Sequence, residues 1–192
     1  MLSYSHSRLF AKQGYSIALI ARGASELNKL EDEIKSSGGT AASFPIQSYS
    51  ATDVANAFTS IRSQFPSSTH SLRVAVYNAG HGVWKPFLQI TPQDVAAVTQ
   101  TNIEGAFAFA HEVISAFKGN DIDETTGKRG AFIITGATAS IRGNTTTSAF
   151  SAGKHALRAL SQSLAKEFGK DNIHVSAHFL VQRWLRFARF HM

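Results

Sequence analysis

The 192-residue sequence predicts an α/β protein in which helices cover both faces of a parallel sheet. Short apolar runs rich in β-branched residues alternate along the chain with longer segments whose apolar residues recur every three or four positions. These longer segments can return the chain across a sheet, as parallel strands require. No internal repeat or linker interrupts the sequence, which therefore predicts one α/β unit.

The first predicted strand is residues 15–21, an almost uninterrupted apolar run. A helix follows it, and the two glycines at 38–39 end the helical pattern. Residues 41–47 form a second, shorter strand. Pro45 places this strand at an edge of the sheet, because proline cannot donate a hydrogen bond to a neighbouring strand. The next apolar stripe predicts a helix over residues 51–65.

Residues 73–77 are nearly all apolar, as expected of a parallel strand that is covered on both faces. The next helix opens with an N-cap, a proline and a capping-box acid in Thr91-Pro92-Gln93-Asp94, and its pattern extends to about Phe117. The remaining elements are a polar loop, a strand, a long helix and a last strand, at residues 119–130, 131–135, 148–169 and 173–179.

Composition argues against several classes of protein. The absence of cysteine excludes disulfide scaffolds and Cys-based zinc sites and fits a reducing compartment. The eight histidines show no metal-ligand spacing, so no metal is predicted. The sequence shows no targeting signal and no apolar run of the ~18 residues that a membrane span needs. Its net charge of +6 is largely dispersed, which does not favour nucleic-acid binding. A cytoplasmic protein is the expectation.

The carboxyl ends of the strands are the expected position of a functional site. In open parallel sheets, ligands bind outside these ends. The residues that follow the predicted strands are Arg22-Gly23, Gln47-Ser48, Asn78-Ala79-Gly80 and Thr135 through Ser140.

Three segments on these elements carry a resemblance to a known family. They are YNAG at 77–80, TNIEGAFAFAHE at 101–112 and FSAGK at 150–154. In this order they resemble the short-chain dehydrogenases/reductases, from about residue 8 to residue 179. The resemblance implies a Rossmann-like, doubly wound parallel sheet that binds NAD or NADP. It also implies hydride transfer involving a small-molecule carbonyl or alcohol substrate. Assembly into a homo-oligomer is possible under this resemblance.

By this resemblance, the cofactor would be held by Arg22, Asn78, Ala79, Gly80 and Lys154. Arg22 ends the first strand, where a guanidinium can pair with a 2′-phosphate, which favours NADP over NAD. The small residues after the third strand would let the backbone approach the cofactor, and Lys154 would bind the nicotinamide ribose. The alternative interpretations are a solvated arginine for Arg22, a plain turn for residues 78–80 and a solvated lysine for Lys154. Ser48 stands where the family usually has an aspartate near the adenine.

The catalytic positions implied by the family are Asn102, Ala137, Phe150 and Lys154. Phe150 occupies the position of the proton-donating tyrosine, and Ala137, thirteen residues earlier, that of the serine that polarises the substrate carbonyl. Asn102 corresponds to the asparagine that holds a relay water, and the alternative is a structural hydrogen bond to nearby backbone. The alternative for Phe150 is a core aromatic at a helix start. Two hydroxyls lie within a turn of the serine position, on Thr138 and Ser140.

Two features of the family are missing from the sequence. No Gly-x-x-x-Gly-x-Gly turn, which would cradle the pyrophosphate at a helix N-terminus, occurs in it. The strand that would lie between 15–21 and 73–77 is also absent, so the sheet is expected to be split or marginal unless Met1–Phe10 fills the gap. We therefore expect a chain truncated at both ends, without the family's first and C-terminal strands, whose activity is impaired or absent.

Residues 180–192 do not resemble the family and follow an expected domain of residues 1–179. As a helix they would carry arginines at 183, 186 and 189 beside an aromatic stripe. This basic amphipathic pattern gives an alternative function, a non-catalytic binding module whose tail contacts a membrane surface or a protein partner. The other interpretation is a non-homologous tail from an altered reading frame or splice product.

Overall fold

The structure is a computed structural model that describes residues 2–180, and the side chains of residues 5–178. In chain order the elements are α1 (Leu2–Lys12), β1 (Ile17–Ala21), α2 (Ala24–Ser36), β2 (Ala41–Pro45), α3 (Ala51–Gln64), β3 (Val74–Tyr77), α4 (Pro92–Thr99), α5 (Gly105–Lys118), β4 (Gly130–Ala137), α6 (Ser148–Phe168) and β5 (Ile173–Leu180). A π-helical turn, Gln100–Glu104, joins α4 to α5. Each strand and helix predicted above is present, with ends that shift by a few residues.

The strands pair in parallel, as predicted. β1 pairs with β2, from Ile17 opposite Ala41 to Ala21 opposite Pro45. A separate three-stranded sheet has β4 between β3 and β5. Among the described residues β2 has β1 as its one partner strand, so the edge position predicted from Pro45 is confirmed.

The five strands form two sheets rather than one. β1 and β3 belong to different sheets and do not pair with each other. The first described residues form the helix α1, so they supply no strand between β1 and β3. The split that the sequence predicts is therefore confirmed, and within residues 2–180 each of these two strands has one unpaired edge.

Two apolar cores accompany the two sheets. The larger lies on the three-stranded sheet and includes Phe117 and Phe132, which are fully buried, together with Val54 from α3. The smaller lies between α2, β1 and β2 and includes Leu30. Ile20 of β1 packs against the larger core. The two sheets are therefore held together by side-chain packing, because backbone pairing is missing between them.

Two further properties concern residues 2–180. No helix in this part of the chain combines the length and the apolar character that crossing a bilayer requires. No three His, Asp or Glu side chains among these residues come together as a metal site. The predicted basic aromatic tail lies outside the described residues, except that Leu180 ends β5.

Candidate active site

The predicted site residues of the three-stranded sheet meet at the carboxyl ends of β3 and β4. The loop after β3 passes Asn102 of the π-helical turn and Lys154 of α6. Phe150 lies one turn before Lys154 on the same helix. Four of the predicted positions are therefore brought together, namely Gly80, Asn102, Phe150 and Lys154.

Asn102 is fixed by the backbone of His81. Its Oδ1 accepts from the His81 N–H at 2.9 Å, and its Nδ2 donates to the His81 carbonyl at 2.9 Å. The side chain is 1% exposed. Of the two interpretations of Asn102, the structural hydrogen bond to nearby backbone describes these contacts. This reciprocal pair holds the loop after β3 against the helix.

Tyr77, the last residue of β3, satisfies a carbonyl of the π-helical turn. Its phenol donates to the Thr101 carbonyl at 2.5 Å, and both residues are buried. Burial raises the pKa of Tyr77 well above its ordinary value, so the phenol remains a donor at any physiological pH. A π-helical turn interrupts the regular helical hydrogen bonds, and such turns are frequent at functional sites.

Replacing Tyr77 by phenylalanine is expected to lower the free energy of unfolding by about 1–3 kcal/mol, because the buried Thr101 carbonyl loses its donor. Urea unfolding measures this loss. Tyr15→Phe, at a tyrosine that is 42% exposed, is the matched control and should change stability little. Equal stability of the two variants would contradict the importance of the Tyr77 bond.

Lys154 is buried, so the interpretation as a solvated lysine is wrong. Its side chain is 7% exposed, and its Nζ donates to the Thr135 carbonyl at 3.0 Å. Burial lowers the pKa of Lys154. A Cβ on Gly80 would lie 3.2 Å from this Nζ and 3.7 Å from Asn102 Oδ1, so the loop approaches closely because Gly80 has no side chain.

The burial of Lys154 has a pH signature. Between its lowered pKa and the ordinary value of 10.5, the unfolded chain binds more protons than the folded chain, so stability rises with pH across this window. Lys154→Met removes this titration. Because the variant also loses the hydrogen bond from Nζ to Thr135, the prediction concerns the pH dependence: the stability of the variant relative to the wild type is expected to be highest at neutral pH and to fall as the pH approaches 10.5.

Thermal unfolding of both proteins over this pH range measures the effect. Lys170→Met, at an exposed lysine, is the control and should follow the wild type. A constant difference between Lys154→Met and the wild type at all pH values would contradict the prediction.

Phe150 lies at the surface of the site rather than in a core. It is half-buried, and its ring centroid is 4.9 Å from that of Trp84, with an angle of 41° between the planes. Trp84 was not predicted from the sequence, and its side chain is 63% exposed. The interpretation of Phe150 as a core aromatic is therefore wrong.

Ala137 is the last residue of β4, and its side chain carries no hydroxyl. The backbone N–H of Ala137 donates to Ser140 Oγ at 3.0 Å, and Ser140 is fully buried. The Ser140 hydroxyl therefore serves the turn after β4 and is closed to a substrate. Thr138 is half-buried, and its hydroxyl remains the nearer alternative to the missing serine.

Arg22 lies on the other sheet, at the end of β1. Its guanidinium carbon is 5.2 Å from the ring centroid of Tyr49. Burial raises the pKa of Tyr49, and the charge of Arg22 opposes this rise. A Cβ on Gly105 would lie 2.7 Å from Tyr49 Cβ and 3.0 Å from the Tyr77 hydroxyl, so Gly105 lets these aromatic residues approach the start of α5. Tyr49 thus connects Arg22 with the rest of the site.

The remaining predicted cofactor residues, Asn78 and Ala79, lie on the loop after β3, as Gly80 does. Asn78 and Ala79 are half-buried, and Ala79 packs against the larger core. Ala79 is therefore held in the turn by its packing against the larger core.

The arrangement fits part of a dinucleotide. A lysine ammonium has three N–H donors, and among the described residues Thr135 accepts one, so Lys154 can also bind ribose hydroxyls beside Gly80. No salt bridge of the described residues engages Arg22, whose guanidinium can pair with a phosphate. The glycine-rich turn for the pyrophosphate has no counterpart in the 192 residues.

A family model described as "short chain dehydrogenase" matches residues 2–179. A tropinone reductase homologue from Arabidopsis thaliana is 30% identical over 109 residues, which are 55% of this chain and 37% of the relative. The A-factor type gamma-butyrolactone 1′-reductase (1S-forming) of Streptomyces virginiae is 26% identical over 172 residues, 88% of this chain and 62% of that protein. The chain thus spans only part of the length of these relatives.

Solved structures show the same architecture. A short-chain dehydrogenase from Rhodopseudomonas palustris superposes with a TM-score of 0.79 at 26% identity, over 92% of this chain and 77% of that one. A 3-ketoacyl-ACP reductase from Sinorhizobium meliloti 1021 gives 0.79 at 26% identity, over 92% and 67%. A metagenomic short-chain oxidoreductase, solved in complex with NADP, gives 0.78 at 21% identity over 93% and 75%, which shows the fold alone.

Proposed function

Because this chain belongs to the short-chain dehydrogenase family, we propose that it is an NADP-preferring oxidoreductase of small carbonyl or alcohol compounds whose activity is impaired. The observation that carries this proposal is the cluster of Lys154, Asn102 and Gly80 beside Phe150. The lysine and the glycine turn suit a nicotinamide ribose. Phe150, one turn before the lysine, stands at the position that would supply the proton, but it has no acidic group.

Carbonyl reduction needs a hydride and a proton. NADPH, when bound, supplies the hydride. A positioned general acid typically contributes about 10²–10⁴ to the rate. Phe150 cannot donate a proton, and Ala137 cannot polarise a carbonyl. When Lys154 is protonated, its ammonium can stabilise a developing oxyanion, so the site keeps a group for electrostatic stabilisation while lacking the acid.

The cofactor preference rests on Arg22. A guanidinium at the end of β1 can donate two charge-assisted hydrogen bonds to a 2′-phosphate, and such bonds contribute about 1.5–3 kcal/mol. NAD has a hydroxyl at this position and gains much less. We therefore propose that the chain prefers NADP over NAD even where its affinity for both is low.

The test compares NADPH with NADH by saturation-transfer NMR, which detects millimolar binding. Arg22→Ala is expected to lower the NADPH-to-NADH affinity ratio about tenfold or more. Arg62→Ala is the control, since Arg62 lies on α3 in an ion pair with Glu112. A ratio that does not change with Arg22→Ala would contradict the proposed preference.

A further inference from the structure

We propose that Trp84 and Phe150, here called the aromatic pair, bind the apolar body of the substrate, and that the substrate is a flat aromatic ketone or the corresponding alcohol. The inference rests on the proposed function, because it names the substrate class of the same site.

The backbone on both sides of Trp84 is anchored although its ring is exposed. Val83 is buried, and the Lys85 N–H donates to the Thr146 carbonyl at 3.0 Å. The Lys85 ammonium pairs with Asp94 at 2.8 Å, where α4 begins. Trp84 lies between these fixed residues with its side chain 63% exposed. An exposed aromatic ring on a fixed backbone loses little conformational entropy when it binds a ligand.

Gly82 forms the floor beneath the aromatic pair. A Cβ at this position would lie 2.4 Å from Cη2 of Trp84 and 3.1 Å from Cδ2 of Phe150. Any other residue would therefore push the indole off the backbone. The two rings lie 4.9 Å apart at 41°, within the range of aromatic contacts that attract each other. The exposed part of the indole is then available to a third ring.

The aromatic pair lies beside the polar part of the site. Phe150 precedes Lys154 by four residues on α6, a rise of about 6 Å along the helix. On the facing loop, Gly80 is next to the lysine and Gly82 next to the aromatic pair. A ligand can therefore direct its oxygen towards the Lys154 ammonium while its ring stacks on Trp84.

Further exposed apolar side chains lie in the two loops that meet here. The Lys85–Thr146 hydrogen bond joins the loop after β3 to the loop before α6. These loops also carry large exposed apolar residues, Phe87 (74%), Leu88 (95%) and Ile141 (53%). Large exposed apolar side chains in the loops beside a site are a common feature of binding surfaces. The exposed apolar side chains favour a substrate with an apolar body.

The test uses tryptophan fluorescence in the full chain. Trp84 and Trp184 are the two tryptophans, so the variant Trp184→Phe makes Trp84 the reporter. The probe is 2-acetonaphthone, an aromatic ketone, with acetone as the small comparator and without cofactor. We expect saturable quenching of Trp84 by the naphthyl ketone and only linear, collisional quenching by acetone.

Equilibrium dialysis then compares variants with the natural Trp184. Trp84→Ala is expected to bind 2-acetonaphthone about twofold to tenfold more weakly, from the usual strength of an aromatic contact, and Trp84→Phe to retain most of the affinity. Leu9→Ala, at a 55% exposed residue of α1, should equal the wild type.

Equal affinity of Trp84→Ala and the wild type would overturn the inference, and so would failure of the wild type to bind the naphthyl ketone. Because cofactor is omitted, these outcomes are separate from the proposed function. A chain that binds the ketone at Trp84 but shows no preference for NADPH through Arg22 would contradict the cofactor assignment alone.

Discussion

The double variant Ala137→Ser/Phe150→Tyr is expected to reduce a ketone about 10²–10⁴ times faster than the wild type, because it restores both missing hydroxyls at the reacting end of the site. The positions around them are already in place. Lys154 is buried with its ammonium at the end of β4, and Gly80 lies against it. Tyrosine adds one oxygen to the ring of Phe150 without changing the backbone.

The measurement is single-turnover oxidation of NADPH at millimolar concentration with excess ketone, so that weak cofactor binding does not hide the chemical step. Phe150→Leu is the control for altered packing against Trp84 and should give no gain. Adding Lys154→Met to the double variant should remove most of the gain. Equal rates for the double variant and the wild type would show that the site is not assembled for catalysis.

Gly153→Val is expected to have the largest effect on stability. A Cβ at Gly153 would lie 2.3 Å from Asn102 Nδ2 and 2.7 Å from Val98 Cγ1. The amide cannot move aside without breaking its two bonds to His81. Overpacking typically costs about 1–3 kcal/mol, and each lost hydrogen bond about 0.5–1.5 kcal/mol. The sum is a large part of the ~5–15 kcal/mol that typically stabilises a domain.

Chemical unfolding of Gly153→Val tests this expectation. Ala152→Val is the comparison at an exposed position one residue earlier on the same helix. Ala→Val lowers helix propensity whereas Gly→Val raises it, so a larger loss of stability in Gly153→Val cannot come from helix propensity. The stability of Ala152→Val should fall by well under 1 kcal/mol. If both variants lose the same small amount, the packing of α6 against Asn102 is not what positions the loop after β3.

Much of the fold follows from the sequence because buried parallel strands have a simple pattern. Residues 73–77 are apolar on both faces and become β3, and Pro45 marks the edge strand. The gap between β1 and β3 was also predictable, since no apolar run precedes residues 15–21. These features depend on local composition and on the order of elements along the chain.

The candidate site was predictable in part. The family pattern identifies Lys154, but its burial depends on how Gly80 approaches it across the sheet. Asn102 hydrogen-bonds to the backbone of His81. Every residue has a backbone N–H or carbonyl, so the spacing of residue types along the sequence cannot identify this partner. Ser140 could not be excluded until its hydroxyl was found in the turn.

Trp84 and Tyr49 were missed because neither belongs to a motif. Both are aromatic residues just beyond the carboxyl end of a predicted strand, and this position is the one signal that could have identified them. Each also needs a glycine whose missing side chain leaves room for its ring. This glycine is Gly105, far along the chain, for Tyr49, and Gly82, two residues earlier, for Trp84. The close approach of each aromatic ring to its glycine becomes visible only in the folded structure.

The chain has a buried lysine, Lys154, at the position of the family's conserved-motif lysine, while its 192 residues contain no glycine-rich phosphate cradle, and we propose that cofactor binding is impaired for this reason. Isothermal titration of the wild-type chain with NADPH tests it most directly. Because no glycine-rich turn is present in the 192 residues to hold the pyrophosphate, we expect no micromolar binding, and at most weak binding with a millimolar Kd. A micromolar Kd for NADPH would contradict the claim that the cofactor site is impaired.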